Sequence, residues 1–182
     1  MDKKDLFEEL ETDRLSLRKI SISDAEKLYK SIYRNPDYYK FYWQKPFDSF
    51  EHYESLIKMY EQYYLSGNYF KWGIALKETN EIIGIVQLHG NDSLNNNCKI
   101  GYIINSDYMK LGYASEAVKE VINFSLNKLN YHRIEALIVE ENKDSIKLAE
   151  RVGMKFESTR KEGYKVDNKY YDQKVYTVIK NI

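Results

Sequence analysis

The feature that most constrains this chain is a strand–helix–strand run over residues 98–140. Residues 98–105 (CKIGYIIN) alternate like a strand. Residues 114–129 carry Ala114, Ala117, Val118, Val121 and Ser125 on one helical face, and residues 133–140 read as a second strand. Two strands joined through such a helix lie parallel, with a right-handed crossover.

The flanking segments add to this unit. Residues 14–20 (RLSLRKI) alternate Leu15 and Leu17 with polar neighbours, a strand signal. Ser23 and Glu26 have capping-box spacing ahead of Ala25, Leu28, Tyr29, Ile32 and Tyr33 at helical intervals. Asp48 and Glu51 open a second helix, with Tyr53, Leu56, Ile57, Tyr60 and Tyr64 on its apolar face. Residues 70–76 and 82–88 form a hairpin about K-E-T-N-E, and residues 91–97 (NDSLNNN) a loop. A short helix over 142–152 and strands over 155–162 and 171–180, around V-D-N-K, finish the chain. The expected architecture is one α/β domain over residues 1–182. Its sheet is mixed, mostly antiparallel and twisted, with about seven strands and helices on both faces.

Composition narrows the partners. Lys plus Arg and Asp plus Glu are both 28, so the chain lacks the electrostatic footprint of a nucleic-acid binder. The single cysteine, Cys98, forms no internal disulfide and no zinc cluster. His52, His89 and His132 lack metal-ligand spacing, so no metal is expected. The charged N-terminal stretch MDKKDLFEELETDR has no apolar signal core, and no apolar run has membrane-spanning length. The expectation is a cytoplasmic protein, monomeric or homodimeric, with no membrane or nucleic-acid partner.

The junction between the first strand of the run and its helix carries the chemistry. Gly112 stands at the helix mouth with Ala114 two places on. A helix N-terminus offers unpartnered N–H groups and the positive end of a dipole, a ready site for phosphate. Residues 110–115 therefore form a candidate phosphate cradle, to which Lys110 adds a charge. The competing reading is that Gly112 only makes the turn and Ala114 only packs on the sheet.

Four segments together resemble the GNAT superfamily of N-acetyltransferases, nearest the branch that acetylates ribosomal-protein N-termini and many small amines. They are ETDRLSLR at residues 11–18, KIGYIIN at 99–105, LGYASEA at 111–117 and ENKDSIKLAERVGMKFE at 141–157. The resemblance implies acetyl-CoA as co-substrate, its pyrophosphate held by the amides of Leu111, Gly112, Tyr113, Ala114 and Ser115. It also implies a bulged strand that splays from its parallel neighbour, with free backbone groups around Ile103 and Ile104 for the pantetheine arm. Two positions depart from the family loop: Met109 replaces a Gln or Arg, and Lys110 stands where this branch often has glycine.

Acetyl transfer to an amine needs a proton acceptor, polarisation of the thioester carbonyl and stabilisation of the leaving thiolate. The resemblance implies direct transfer, so Cys98 is not required as a nucleophile. Asn142 and Ser145 (N-x-x-S) suit a helix start as cap residues. The resemblance also puts Asn142 on the pantetheine and Ser145 on the cofactor sulfur. The general-acid tyrosine of many members is replaced by Ala149. Tyr164, or Glu162 two residues earlier, is implied as the proton acceptor, directly or through water; a solvated strand end is the competing reading. The aromatic loop RNPDYYKFYWQKPF, with Asp37, and the final turn, with Asp167 and Asp172, are expected to line the acceptor side. The acceptor is a primary amine, on a protein N-terminus or a small molecule. The alternative is a CoA-binding regulatory module with weak or no catalysis.

Overall fold

The computed structural model describes residues 7–35, 38, 41, 47–65 and 70–180. Its elements are β1 (Leu10–Glu11), β2 (Leu15–Arg18), α1 (Ala25–Leu28), α2 (Phe50–Leu65), β3 (Phe70–Leu76) and β4 (Ile82–Asp92). Then follow β5 (Asn97–Ile104), α3 (Tyr113–Asn127), β6 (Arg133–Val139), α4 (Lys143–Arg151), β7 (Lys155–Val166) and β8 (Lys169–Ile179). One sheet contains all the strands in the order β1-β2-β3-β4-β5-β6-β8-β7. Its strand count is eight; the one beyond expectation is the two-residue β1, too short for an alternation signal. Among the described residues only β5 and β6 pair in parallel.

Helices cover both faces. Beneath α3 and α4, Leu15, Leu17, Trp72, Ile74, Val86 and Ile134 pack against Ala117, Val118 and Val121. Beneath α1 and α2, Ile82 and Ile85 pack against Leu28, Ile32, Tyr33, Tyr53, Ile57 and Tyr60. Most residues of the apolar stripes expected from 3.6-residue spacing are buried, with Tyr29, Leu56 and Ala114 half-buried at their edges. Burying one such side chain contributes about 1.5–3 kcal/mol, so these two layers dominate cohesion.

Three local details differ from expectation. The capping pair is Ser21 and Asp24: the Ser21 N–H and Oγ donate to Asp24 Oδ2 at 2.8 and 2.9 Å. Arg18 locks that carboxylate with two 2.8 Å bonds, and Glu26 pairs with Lys30 instead. Helix α2 is capped by Ser49, whose Oγ accepts from His52 N–H, one residue past Asp48. The loop after β4 shrinks to residues 93–96, because both strands extend into it.

The feature that positions the site is a gap in the sheet. β5 and β6 pair only at Asn97↔Arg133, Cys98↔Ile134 and Lys99↔Glu135, although β5 runs to Ile104 and β6 to Val139. Past Lys99, β5 follows β4 alone and β6 follows β8 alone. Among the described residues no helix is long and apolar enough to cross a membrane.

Candidate active site

The α3 mouth is a strained turn. Gly112, its N-cap, has φ +86°, a conformation L side chains rarely adopt, and Lys110 has φ +62°. The Lys110 value explains why glycine suits that position. The N–H groups of Tyr113, Ala114 and Ser115 have no acceptor among the described residues; the first bond back into the turn is Glu116 N–H to Gly112 O, at 3.0 Å. Leu111 is exposed and Gly112 to Ser115 are partly so, leaving the mouth open to a ligand.

Two arginines absent from the sequence-level expectation reach this mouth. Arg14, in the β1–β2 turn, donates Nη1 to Leu111 O at 3.1 Å and Nε to Glu116 Oε2 at 2.7 Å. Its guanidinium lies 4.3 Å from the Tyr113 ring centroid. Thr12 Oγ1 and Arg14 N–H bind Glu116 Oε1 at 2.6 and 2.9 Å. Burial alone would raise the Glu116 pKa; these hydrogen bonds and the Arg14 charge outweigh it and hold the carboxylate below its usual range. Arg151, the last residue of α4, donates to Ser115 Oγ at 3.3 Å. Both arginines sit in the quoted motifs ETDRLSLR and AERVGMKF, but their partners lie on distant segments.

The gap lies beyond this mouth. Asn105 N–H donates to Ile83 O on the β4 side, whereas Asn96 O accepts from His132 N–H on the β6 side. Backbone groups alternate direction along a strand. Hence Ile100, Tyr102 and Ile104 address the gap, and Ile103 addresses β4. Of the expected pair, Ile104 faces the gap and Ile103 faces β4, and Tyr102 joins Ile104 on the gap side. The end of β5 also keeps an unbroken register with β4; the irregularity lies between His89 and Asp92.

Asn142 and Ser145 stand at the start of α4, directly after β6. Asn142 Oδ1 accepts from Ser145 N–H at 3.1 Å, the expected cap. The Ser145 hydroxyl lies 2.7 Å from Tyr102 Oη on β5. Ala149, on the inner face of α4, is fully buried. On the opposite face of β5, the side chains of Gln87 and His89 reach over Gly101; each has its Nε2 3.6 Å from where a Cβ would stand. Burial, then the Lys99 and Lys71 charges, hold His89 below its ordinary value.

Glu162 and Tyr164 lie on the β7–β8 hairpin. The register slips between Arg160 and Tyr164, and Glu162 has φ +49° in that bulge, exposed to solvent. Its N–H donates to Asp172 Oδ1 at 2.9 Å, and Lys161 pairs with Asp172 at 2.7 Å. Asp172 is therefore already engaged. Burial pushes the Tyr164 phenol up to about 12, so it is protonated at neutral pH. No hydrogen bond joins either residue to Ser145 among the described residues. Of the aromatic loop, Tyr38 accepts the Ser106 N–H at the end of β5; Asp37, Tyr39, Tyr42 and Trp43 lie outside the described residues. Cys98 is buried, its thiol pushed up to about 12 by desolvation, an inert packing residue. No group of three or more potential metal ligands occurs among the described residues.

A family model described as "Acetyltransferase (GNAT) domain" matches residues 14–155. The chain belongs to the GNAT acetyltransferase family. The "Uncharacterized N-acetyltransferase p20" of Bacillus licheniformis is 31% identical over 174 residues, 96% of this chain and 97% of that one. A solved GNAT-family acetyltransferase from Bacillus anthracis superposes with TM-score 0.84 at 23% identity, covering 95% of this chain and 99% of that one. The microcin C7 self-immunity acetyltransferase MccE, solved with acetyl-CoA and AMP, superposes at 0.82 with 22% identity and 92% and 93% coverage. This GNAT protein is thus an acetyltransferase.

Proposed function

We propose that this acetyltransferase moves the acetyl group of acetyl-CoA directly to a primary amine, in the manner of the ribosomal-protein N-terminal branch. The observation that carries this reading is the gap between β5 and β6 opening beside the α3 mouth. The cradle fits a diphosphate: its N–H groups are unpartnered and Gly112 adds no Cβ, which would meet Arg14 Nη2 at 3.3 Å. Lys110, Arg14 and Arg151 supply positive charge around it. Tyr102 and Ile104 offer backbone groups to the amide-bearing arm, and Asn142 flanks its end. Ser145 donates a hydrogen bond to the sulfur as the thiolate leaves, and the C–S electron pair goes with it. The attacking nitrogen joins the carbonyl carbon and loses its proton to water held by Glu162. Tyr164, protonated at neutral pH, orients that water and does not itself accept the proton. The acceptor enters beside the β7–β8 hairpin.

A panel of N-terminal peptides, polyamines and other small amines, read by free-thiol release, tests this. One amine class with saturable turnover names the acceptor. Binding of acetyl-CoA with no turnover on any amine would overturn transfer in favour of a CoA-binding regulatory module.

A further inference from the structure

Three serines in this chain's helices behave as helical serines usually do. Ser31, Ser55 and Ser125 donate to the carbonyl four residues back, at 2.8, 2.8 and 2.6 Å. Ser145 does not. Its position in the first turn of α4 places the carbonyl four residues back, at Glu141, ahead of the helix. Among the described residues its hydroxyl has one hydrogen-bond partner, Tyr102, 43 residues away at 2.7 Å. This contact spans the split sheet, from β5 to the helix that follows β6.

We infer that Tyr102 is the positioning residue for Ser145: its phenol donates to Ser145 Oγ and leaves the serine's own proton aimed into the gap. Either oxygen has the geometry to donate, and acidity favours the phenol. A phenol is a stronger acid than an alkanol and so the better donor. Desolvation raises the Tyr102 phenol to about 12, with the Ser145 bond acting against it, so the phenol is protonated at neutral pH. The phenol carries one proton, so Ser145 O, 3.3 Å away, is a weaker second acceptor sharing it, and both contacts hold the same residue. Tyr102 also turns its backbone toward the gap, so one residue addresses the arm and the serine together. The device stands in for the tyrosine that Ala149 lacks. It transfers no proton itself: Ser145 stabilises the thiolate by hydrogen bonding, and the thiol's proton comes from solvent, replacing the one the amine released.

The inference rests on the proposed role of Ser145, and a double-mutant cycle separates the two. Tyr102→Phe keeps the ring and removes the donor. It is expected to lower kcat about 3- to 10-fold, the worth of one hydrogen bond, with KM for acetyl-CoA unchanged. Ser145→Ala is expected to lower kcat at least as much, and the double variant to be no slower than Ser145→Ala. If Ser145→Ala lowers kcat and Tyr102→Phe does not, or if their effects multiply, the inference is overturned and the serine's role stands. If Ser145→Ala leaves kcat unchanged, the proposed chemistry itself fails. Should Tyr102→Phe not fold, site-specific 3-fluorotyrosine at 102 keeps the shape and strengthens the donor. Turnover that moves with fluorination supports the inference; turnover that does not overturns it.

Discussion

Arg14 holds Glu116 from 102 residues away, backbone N–H on one carboxylate oxygen and guanidinium on the other. This contact resolves a conflict at the α3 mouth. A carboxylate in a helix's first turn stabilises the helix through the dipole, yet it repels a phosphate bound at the same end. Pairing Glu116 with Arg14 keeps the first effect and cancels the second. The Nη1 bond to Leu111 O then fixes the turn on which the amides are displayed. Arg14→Ala is expected to weaken acetyl-CoA binding about 10-fold while lowering stability by no more than about 1 kcal/mol, because the Arg14 side chain is half exposed. Calorimetry alongside chemical denaturation reads both. A stability loss with unchanged affinity would make Arg14 a structural tie only.

Gly112 and Lys110 share left-handed backbone and make opposite predictions. Gly112→Val forces a branched side chain to φ +86° and is expected to cost about 1–2 kcal/mol of stability. It should weaken acetyl-CoA binding by more than that, because the Cβ occupies the cradle. Lys110→Gly relieves strain at φ +62° and is expected to raise the denaturation midpoint. Unchanged affinity in a folded Gly112→Val protein would remove the cradle from the account.

Much of this was legible in the sequence, and the limits have physical causes. Helical stripes such as Tyr53, Ile57, Tyr60 and Tyr64 were readable because period and burial coincide. The Gly112 turn was readable because only glycine relieves its φ. The Tyr102–Ser145 and Arg14–Glu116 contacts join segments 43 and 102 residues apart, which no local pattern reports. The gap was expected from family resemblance alone, and its register needed the hydrogen bond of Asn105. Ser21 captured the cap from Ser23 because Arg18 completes a buried network around Asp24. Glu162 was placed on a regular strand, whereas the hairpin bulges there to accommodate its bond to Asp172.

Ala149 has zero exposure on the inner face of α4. Introducing the tyrosine that the family resemblance places here, as Ala149→Tyr, overpacks that layer and is expected to destabilise the protein by about 1–3 kcal/mol. Turnover should not rise. Thermal denaturation and thiol release check this; a stable, faster variant would contradict the role given to Ser145.

Lys71 is buried on β3, 3.0 Å from Tyr60 Oη, and desolvation lowers its pKa to about 7. The unfolded lysine titrates near 10.5, so between these values the unfolded state binds more protons. Stability contributed at this site therefore rises as pH goes from 7 to 10.5, by up to about 1.4 kcal/mol per unit. Lys71→Met is expected to be more stable than the parent at pH 7, with the difference shrinking toward pH 10. Urea denaturation at pH 7, 8.5 and 10 tests the sign; a difference independent of pH would contradict the buried titration.

The most direct test of the central claim is calorimetric titration of the protein with acetyl-CoA, followed by free-thiol release with and without an amine panel. The account predicts saturable one-to-one binding, with thiol released only when an acceptor amine is present. Absence of binding, or thiol release at the same rate without any amine, would contradict direct transfer across the gap beside Gly112.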